Sequence, residues 1–286
     1  MKNINKEWKL QSLAFNDDLS DAIQQQHHAA QFIALIGHHL IPKKADDSNT
    51  YMEYMHGNDL LLSNALPNGL RVALHLTDLS ISILDKENNY TNRIPLEGKT
   101  KQEVFDKLKQ NLSDLGLDIT GFKNELHYEI PPHILDKGAV FSVKDENYFI
   151  ENTIYRQNAK IVLNEIAQVF KQIEPIRIWP HHFDTGAFFV ISKNEQKEAS
   201  QTIGIGFAIP DSMVNEPYYY LSFWSDKPIE GLDKLPILDA GEWMMPNWNG
   251  SILKHSDILK AGSAGEQHGL VKSFYNSGIN LLMEHF

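Results

Sequence analysis

Apolar side chains recur at helical spacing in Ala22, Ala29, Ile33, Ile36 and Leu40, with Phe32 beside them. Residues three and four apart share a helical face, so the pattern predicts a helix from a Ser20 cap toward His39. Pro42 and the polar run 43–49 end it. Extended segments are expected at 51–56, 60–66 and 70–84. The last alternates as Val72, Leu74 and Leu76, then changes phase to Leu79, Ile81 and Ile83. Side chains alternate strictly along a strand, so the change demands a bulge or a turn near Thr77–Asp78.

Thr100-Lys-Gln-Glu103 reads as a capping box opening a helix. Val104, Leu108, Leu112 and Leu115 supply its stripe, and Gly116 its stop. Residues 118–150 read as a connector around Pro131 and Pro132. A helix from about Tyr155 to Lys171 turns Ala159, Val162, Ile166 and Phe170 inward, and Pro175 closes it. Strands follow at 176–179, 187–192, 202–209 and 218–224. An irregular stretch rich in Trp, Pro and Asn spans 235–249, and a last helix is expected over 270–283. Strands in runs between helices predict an α+β fold with antiparallel sheets and packed helices. The order of elements suggests an internal duplication of α–β–α halves. The expected division is an N-terminal half at 1–120, a connector at 121–150 and a C-terminal half at 151–286.

Composition narrows the class. There is no cysteine, which removes disulfides, thiol nucleophiles and sulfur-based zinc sites. The net charge is −11, spread evenly: residues 1–174 carry 18 basic and 24 acidic side chains, residues 175–286 carry 8 and 13. That argues against nucleic acid and anionic membranes as partners. The start, MKNINKEWKL, lacks the apolar core of a secretory signal, and the apolar run 32–36 is too short to span a bilayer. A soluble cytoplasmic protein is expected. Gly-x-Gly-x-x-Gly, P-loop, His-Glu-x-x-His and Gly-x-Ser-x-Gly patterns are missing.

Three groups of residues could carry chemistry. His27, His28, His38 and His39 lie on the first helix, but His28 and His39 are roughly 16 Å apart by helical rise. They cannot share one ion, and packed edges of the stripe are the simpler reading. The second group is Trp179-Pro180-His181-His182-Phe183-Asp184-Thr185-Gly186. In an extended segment His182 and Asp184 would project to one side. They could serve as general base and orienter, or hold a divalent metal with a third ligand from Glu216, Glu242 or His255. An aromatic-anchored turn is the competing reading. The third group is Glu216-Pro217-Tyr218-Tyr219-Tyr220 with Phe223, Trp224, Trp243 and Trp248. Tyr218, Tyr220 and Trp224 share one strand face and could line a pocket, or simply pack. Arg71 and Arg177 could hold an anion, but a lone Arg next to a strand reads first as a structural ion-pair partner, and Glu129-Ile-Pro-Pro-His133 reads as a rigid turn.

The run Trp179–Asp184, then Glu216–Tyr220, then Trp248-Asn249-Gly250 resembles a family of uncharacterised bacterial proteins. That family carries a Trp-Pro-Glu-His-Phe-Asp motif, a Pro-Glu-Pro-Tyr-x-Tyr strand, a Trp-Asn pair and a terminal helix. A more distant likeness is to a domain of unknown function, matched at Glu129-Ile130 and at Trp179, Phe183 and Asp184. The resemblance covers 150–286 best and implies a fold neighbourhood with no assigned activity. The family's motif Glu is His181 here, while His182 and Asp184 match.

The reading that follows is a small-molecule-binding protein, with hydrolase as the enzymatic form. His182 and Asp184 would be catalytic. His181, Trp179, Tyr218, Tyr220, Trp243 and Glu216 would contact the ligand. The alternatives are a non-catalytic binding module and a protein-interaction module on the same aromatics.

Overall fold

A computed structural model describes residues 7–55, 57–169 and 175–285. The expected positions His56, Phe170 and Lys171 lie outside them. The fold is α+β with two antiparallel sheets. The chain forms two compact units, one of residues 16–153 and 177–183, the other of the remaining described residues.

In the first unit, helix α1 (Asp17–Leu40) is capped by Asn16, whose side chain accepts from Leu19 N–H. The expected cap, Ser20, instead lies inside the first turn, because Asn16 already satisfies the free N–H there and Asp17 and Asp18 favour a helix start. Every residue from Gln25 to Gly37 is buried, polar ones included, so burial is not confined to the expected stripe. Five strands follow in an antiparallel meander, in chain order: β1 (Glu53–Met55), β2 (Leu60–Leu62), β3 (Arg71–His75), β4 (Ser80–Leu84) and β5 (Tyr90–Pro95). The phase change is a turn between β3 and β4, with Leu79 at φ 45°. Strand β5 escapes the hydrophobic pattern because Ile94 is its one buried residue.

Helix α2 (Lys101–Asp114) carries both bonds of the expected capping box, and Gly116 follows at φ 78°. The connector contains a 3-10 turn at Ile134–Lys137. Helix α3 (Glu146–Val169) begins well before Tyr155. Its first turns are held by the Gln26 amide, which donates to Phe149 O at 3.1 Å and to Leu76 O at 2.8 Å. Strand β6 (Arg177–Trp179) bridges Met52 through Ile178 with two 2.9 Å bonds. Arg71 Nε donates to Ser63 O and its guanidinium lies 3.7 Å from Glu53, while Arg177 lies over Tyr51 and 3.8 Å from Asp46.

The second unit holds β7 (Asp184–Lys193), β8 (Ala199–Ala208), β9 (Tyr218–Ser225), β10 (Glu242–Trp243) and β11 (Gly250–Lys254), in the order β10-β11-β9-β8-β7. Helices α4 (His255–Ile258) and α5 (Ala264–Met283) follow, α5 capped by Ser263. Phe207, Tyr219 and Leu221 are buried on one sheet face, where Tyr155 of α3 meets Phe207 and Tyr275 of α5 donates to Gly206 O at 2.7 Å. Gln267 ties the segment 8–11 to α5 by accepting from Gln11 N–H and donating to Gln11 O. Each unit reads helix, strands, helix, but β11 lies between β9 and β10 whereas the first sheet runs in chain order. Strand order therefore does not support the expected duplication.

Candidate functional site

The Trp179–Asp184 run is not extended. Residues 180–183 turn, Phe183 N–H donates to Trp179 O at 2.7 Å, and Phe183 stands at φ 52°. A bulky residue in the left-handed region is uncommon and needs support. Support comes from burial and from His27, whose ring stacks on Phe183 at 5.0 Å with 4° between planes. His27 Nε2–H donates to Pro180 O at 2.9 Å, since a carbonyl can only accept. Gln31 donates to the same oxygen at 3.0 Å and accepts from Tyr128 OH at 2.9 Å. His181 and His182 are exposed on this turn, with His181 against Tyr128 and Trp179 at ring distances of 5.8 and 6.2 Å.

The same-side projection of His182 and Asp184 expected from an extended strand therefore does not apply. Asp184 opens β7 and accepts from Tyr220 OH at 2.7 Å. The Tyr220 ring lies over Gly206 and Gly186, where a Cβ would collide with it. Burial, then the Asp184 charge, pushes the Tyr220 phenol well above its usual range, so it remains a donor. Arg156 is completely buried and donates to Thr185 Oγ1 at 2.9 Å; burial lowers its pKa and the Asp184 charge opposes that.

The aromatic run divides as alternation predicts. Tyr218 and Tyr220 pack with Ile252, Met213, Met244 and Trp248, while Tyr219 faces Phe207 and Tyr275. Tyr218 OH donates to Asp211 at 2.7 Å. Trp224 is half exposed. Glu216 accepts from Ser256 N–H and Oγ–H. Trp243 Nε1–H donates to Pro236 O, and its ring lines a largely apolar cavity of about 500 Å³ with Leu232, Leu235, Met245, Pro246 and Asn249.

The divalent metal admitted on sequence grounds is not supported. Among the described residues no three His, Asp or Glu side chains are placed to share an ion. The proposed third ligands are bonded elsewhere: Glu216 to Ser256, Glu242 to Lys254 at 2.6 Å, and His255 to Tyr155 and Leu13 O.

A second cavity, of about 440 Å³, lies in the first unit. Its apolar wall includes Phe32, Leu35, Leu126 and Ile130; its polar lining includes His28, Gln31, Lys101, Tyr128, Glu129 and Asp136. Helix α1 presents His28, Gln31, Phe32 and Leu35 on one face, because residues three, four and seven apart are helical neighbours. The capping box starts α2 so that Lys101 is its first residue. The 3-10 turn, opened by His133, presents Asp136.

Lys101 Nζ donates to Asp136 Oδ1 at 2.7 Å and stands 3.3 Å from His28 Nδ1. His28 Nε2 lies 3.2 Å from Pro131 O and must carry the proton, which leaves Nδ1 to accept from the ammonium. Burial, then Lys101, lowers the His28 pKa to about 4, so the ring is neutral at pH 7. Burial would raise Asp136, but hydrogen bonds from Lys101 and from His133 N–H outweigh it and hold the carboxyl below its usual range. Burial, then Asp47, raises Tyr128.

Sequence reasoning missed this arrangement. His28 was visible only as the edge of a stripe, Lys101 was hidden inside a capping signal, and Glu129–His133 looked like a turn. The His-rich helix and the adjacent Pro-Pro segment were the available signals. The Trp179–His182 turn contacts the same wall through Gln31 and Tyr128.

No protein-family model matches the chain, no curated protein matches it, and no solved structure matches it.

Proposed function

We propose that this chain is a small-molecule-binding protein and that the cavity at His28, Lys101 and Asp136 is its site. One observation carries this reading: a cavity in the size range of ligand sites combines an apolar wall with convergent, orientationally fixed polar groups. The neutral His28, the Lys101–Asp136 pair and the Gln31–Tyr128 bond are held by partners, so they are preorganised. His181 and Trp179 support the Tyr128 side of the wall. The even acid excess argues against a nucleic-acid partner, and among the described residues no helix is long and apolar enough to cross a membrane. A cytoplasmic address is proposed on the sequence alone, as is the likeness to the Trp-Pro-Glu-His-Phe-Asp family.

Ligand-observed NMR with a fragment collection tests the proposal. Fragments should bind the wild type competitively at one site and be lost in Leu35→Trp, whose indole fills the cavity. Binding that persists in a folded Leu35→Trp variant would place the site elsewhere.

A second reading, the interaction module, draws on the Trp243 cavity and on Ile237, which is 92 % exposed. Light scattering of the wild type beside Ile237→Glu tests it: concentration-dependent association lost in the variant supports it, and a strict monomer in both opposes it. The hydrolase form rests on the His182 and Asp184 residue types; turnover unchanged in His182→Ala would remove it.

A further inference from the structure

We infer that the ligand taken by the His28–Lys101–Asp136 cavity is an organic cation, a protonated amine on an apolar body, with Glu129 as its charge partner. The inference rests on the binding reading above and names the ligand class for that site.

The charge inventory of the lining leads there. Lys101 is the one cationic side chain on the wall, and its charge is met by Asp136 at 2.7 Å. Asp136 is satisfied in turn: Oδ1 accepts from Lys101 and Oδ2 from His133 N–H at 2.9 Å. His28 is uncharged at neutral pH, with both ring nitrogens engaged. Gln31 is also committed, donating to His27 O and Pro180 O and accepting from Tyr128. Glu129 remains. Among the described residues its carboxylate forms no hydrogen bond or ion pair, although it lines the cavity. The lining therefore carries one uncompensated negative charge.

A carboxylate ligand would meet a lysine already neutralised, with Asp136 beside it and Glu129 opposing it. An ammonium head can donate to Glu129. Phe32, Leu35, Leu126 and Ile130 then cover the apolar body, as in pockets where a few polar groups orient an otherwise apolar ligand. The net charge of −11 favours approach of a positively charged ligand.

Benzylamine, benzyl alcohol and benzoate have nearly the same size and differ in head charge. Their dissociation constants should be measured by NMR titration of the full chain, wild type beside Glu129→Gln and Leu35→Trp, at fixed ionic strength. Benzylamine should bind tightest. Glu129→Gln should weaken it about three- to five-fold, the scale of an exposed ion pair, and leave benzyl alcohol unchanged. Leu35→Trp should abolish binding of all three. Glu129 is exposed, so its variant keeps the fold and reads the charge alone. Benzoate binding tightest, or benzylamine indifferent to Glu129→Gln, would overturn the cation inference; loss of binding in Leu35→Trp would then still support the cavity. Failure of all three to bind the wild type would overturn the cation inference, and fragment binding insensitive to Leu35→Trp would overturn the cavity itself.

Discussion

The Nδ1 atom of His28 accepts from the ammonium of Lys101 at 3.3 Å, with the imidazole closed to solvent. A protonated ring would set two cations against each other in a buried place, so the fold selects the neutral form. The unfolded ring titrates near 6.5 and the folded ring near 4. Between those values the unfolded chain binds more protons, so stability rises with pH through that window. It is fully present above about 6.5 and is lost as pH falls toward 4. The expected loss attributable to His28 between pH 7 and 4.5 is on the order of 2 kcal/mol. Urea unfolding of wild type and His28→Gln across that range checks it. Burial lowers His38, His75 and His255 as well, so the difference between the proteins isolates His28. Equal pH slopes would refute the assignment.

Tyr220 and Asp184 form a second linked pair. Tyr220→Phe removes a donor from a carboxylate, at a cost of about 2 kcal/mol. A double-mutant cycle with Asp184→Ala should give a coupling energy of about 1 kcal/mol or more. Additive effects would show that the contact contributes little. Gly206→Ala should destabilise as well, since its methyl enters the space of the half-buried Tyr220 ring.

Gly37 tests the packing of α1. A Cβ there would strike Asn49 O and the Thr50 backbone, neither of which is a flexible side-chain end. Asn49 also donates to Gly37 O at 2.9 Å, which holds the loop close. Gly37→Ala should cost about 2–3 kcal/mol, despite the better helix propensity of alanine. Unfolding by urea, with an unchanged or raised midpoint, would contradict this close approach.

Thr100 caps the helix that delivers Lys101. Thr100→Ala should cost about 1 kcal/mol, while Thr100→Ser keeps most of the bond to Glu103 N–H. Thermal unfolding of the two variants side by side separates the cap from the loss of a methyl group. Equal losses would assign the effect to packing.

Local chemistry was legible in the chain wherever a short-range rule governed it. The capping box at Thr100 and the stop at Gly116 appear as read, because each depends on neighbours within a few residues. The turn between Leu76 and Leu79 follows from the phase change alone. Strand β5 was invisible because an edge strand with Ile94 alone buried carries no alternation.

The candidate site was readable only in fragments. Residue types at Trp179–Asp184 drew attention, but strand alternation was the wrong geometry for a turn held by the His27–Phe183 stack. Composition and periodicity set the α+β class, the antiparallel strands and the helix ends, which arise from local hydrogen bonding and from which side chains avoid water. Tertiary structure alone brought His28, Lys101 and Asp136 together, at sequence separations of 73 and 35 residues. It also buried His27, His28 and Gln31 on a helix whose apolar stripe does not include them. A buried polar side chain is stable only with a partner, and the partner comes from a distant segment that no local pattern encodes.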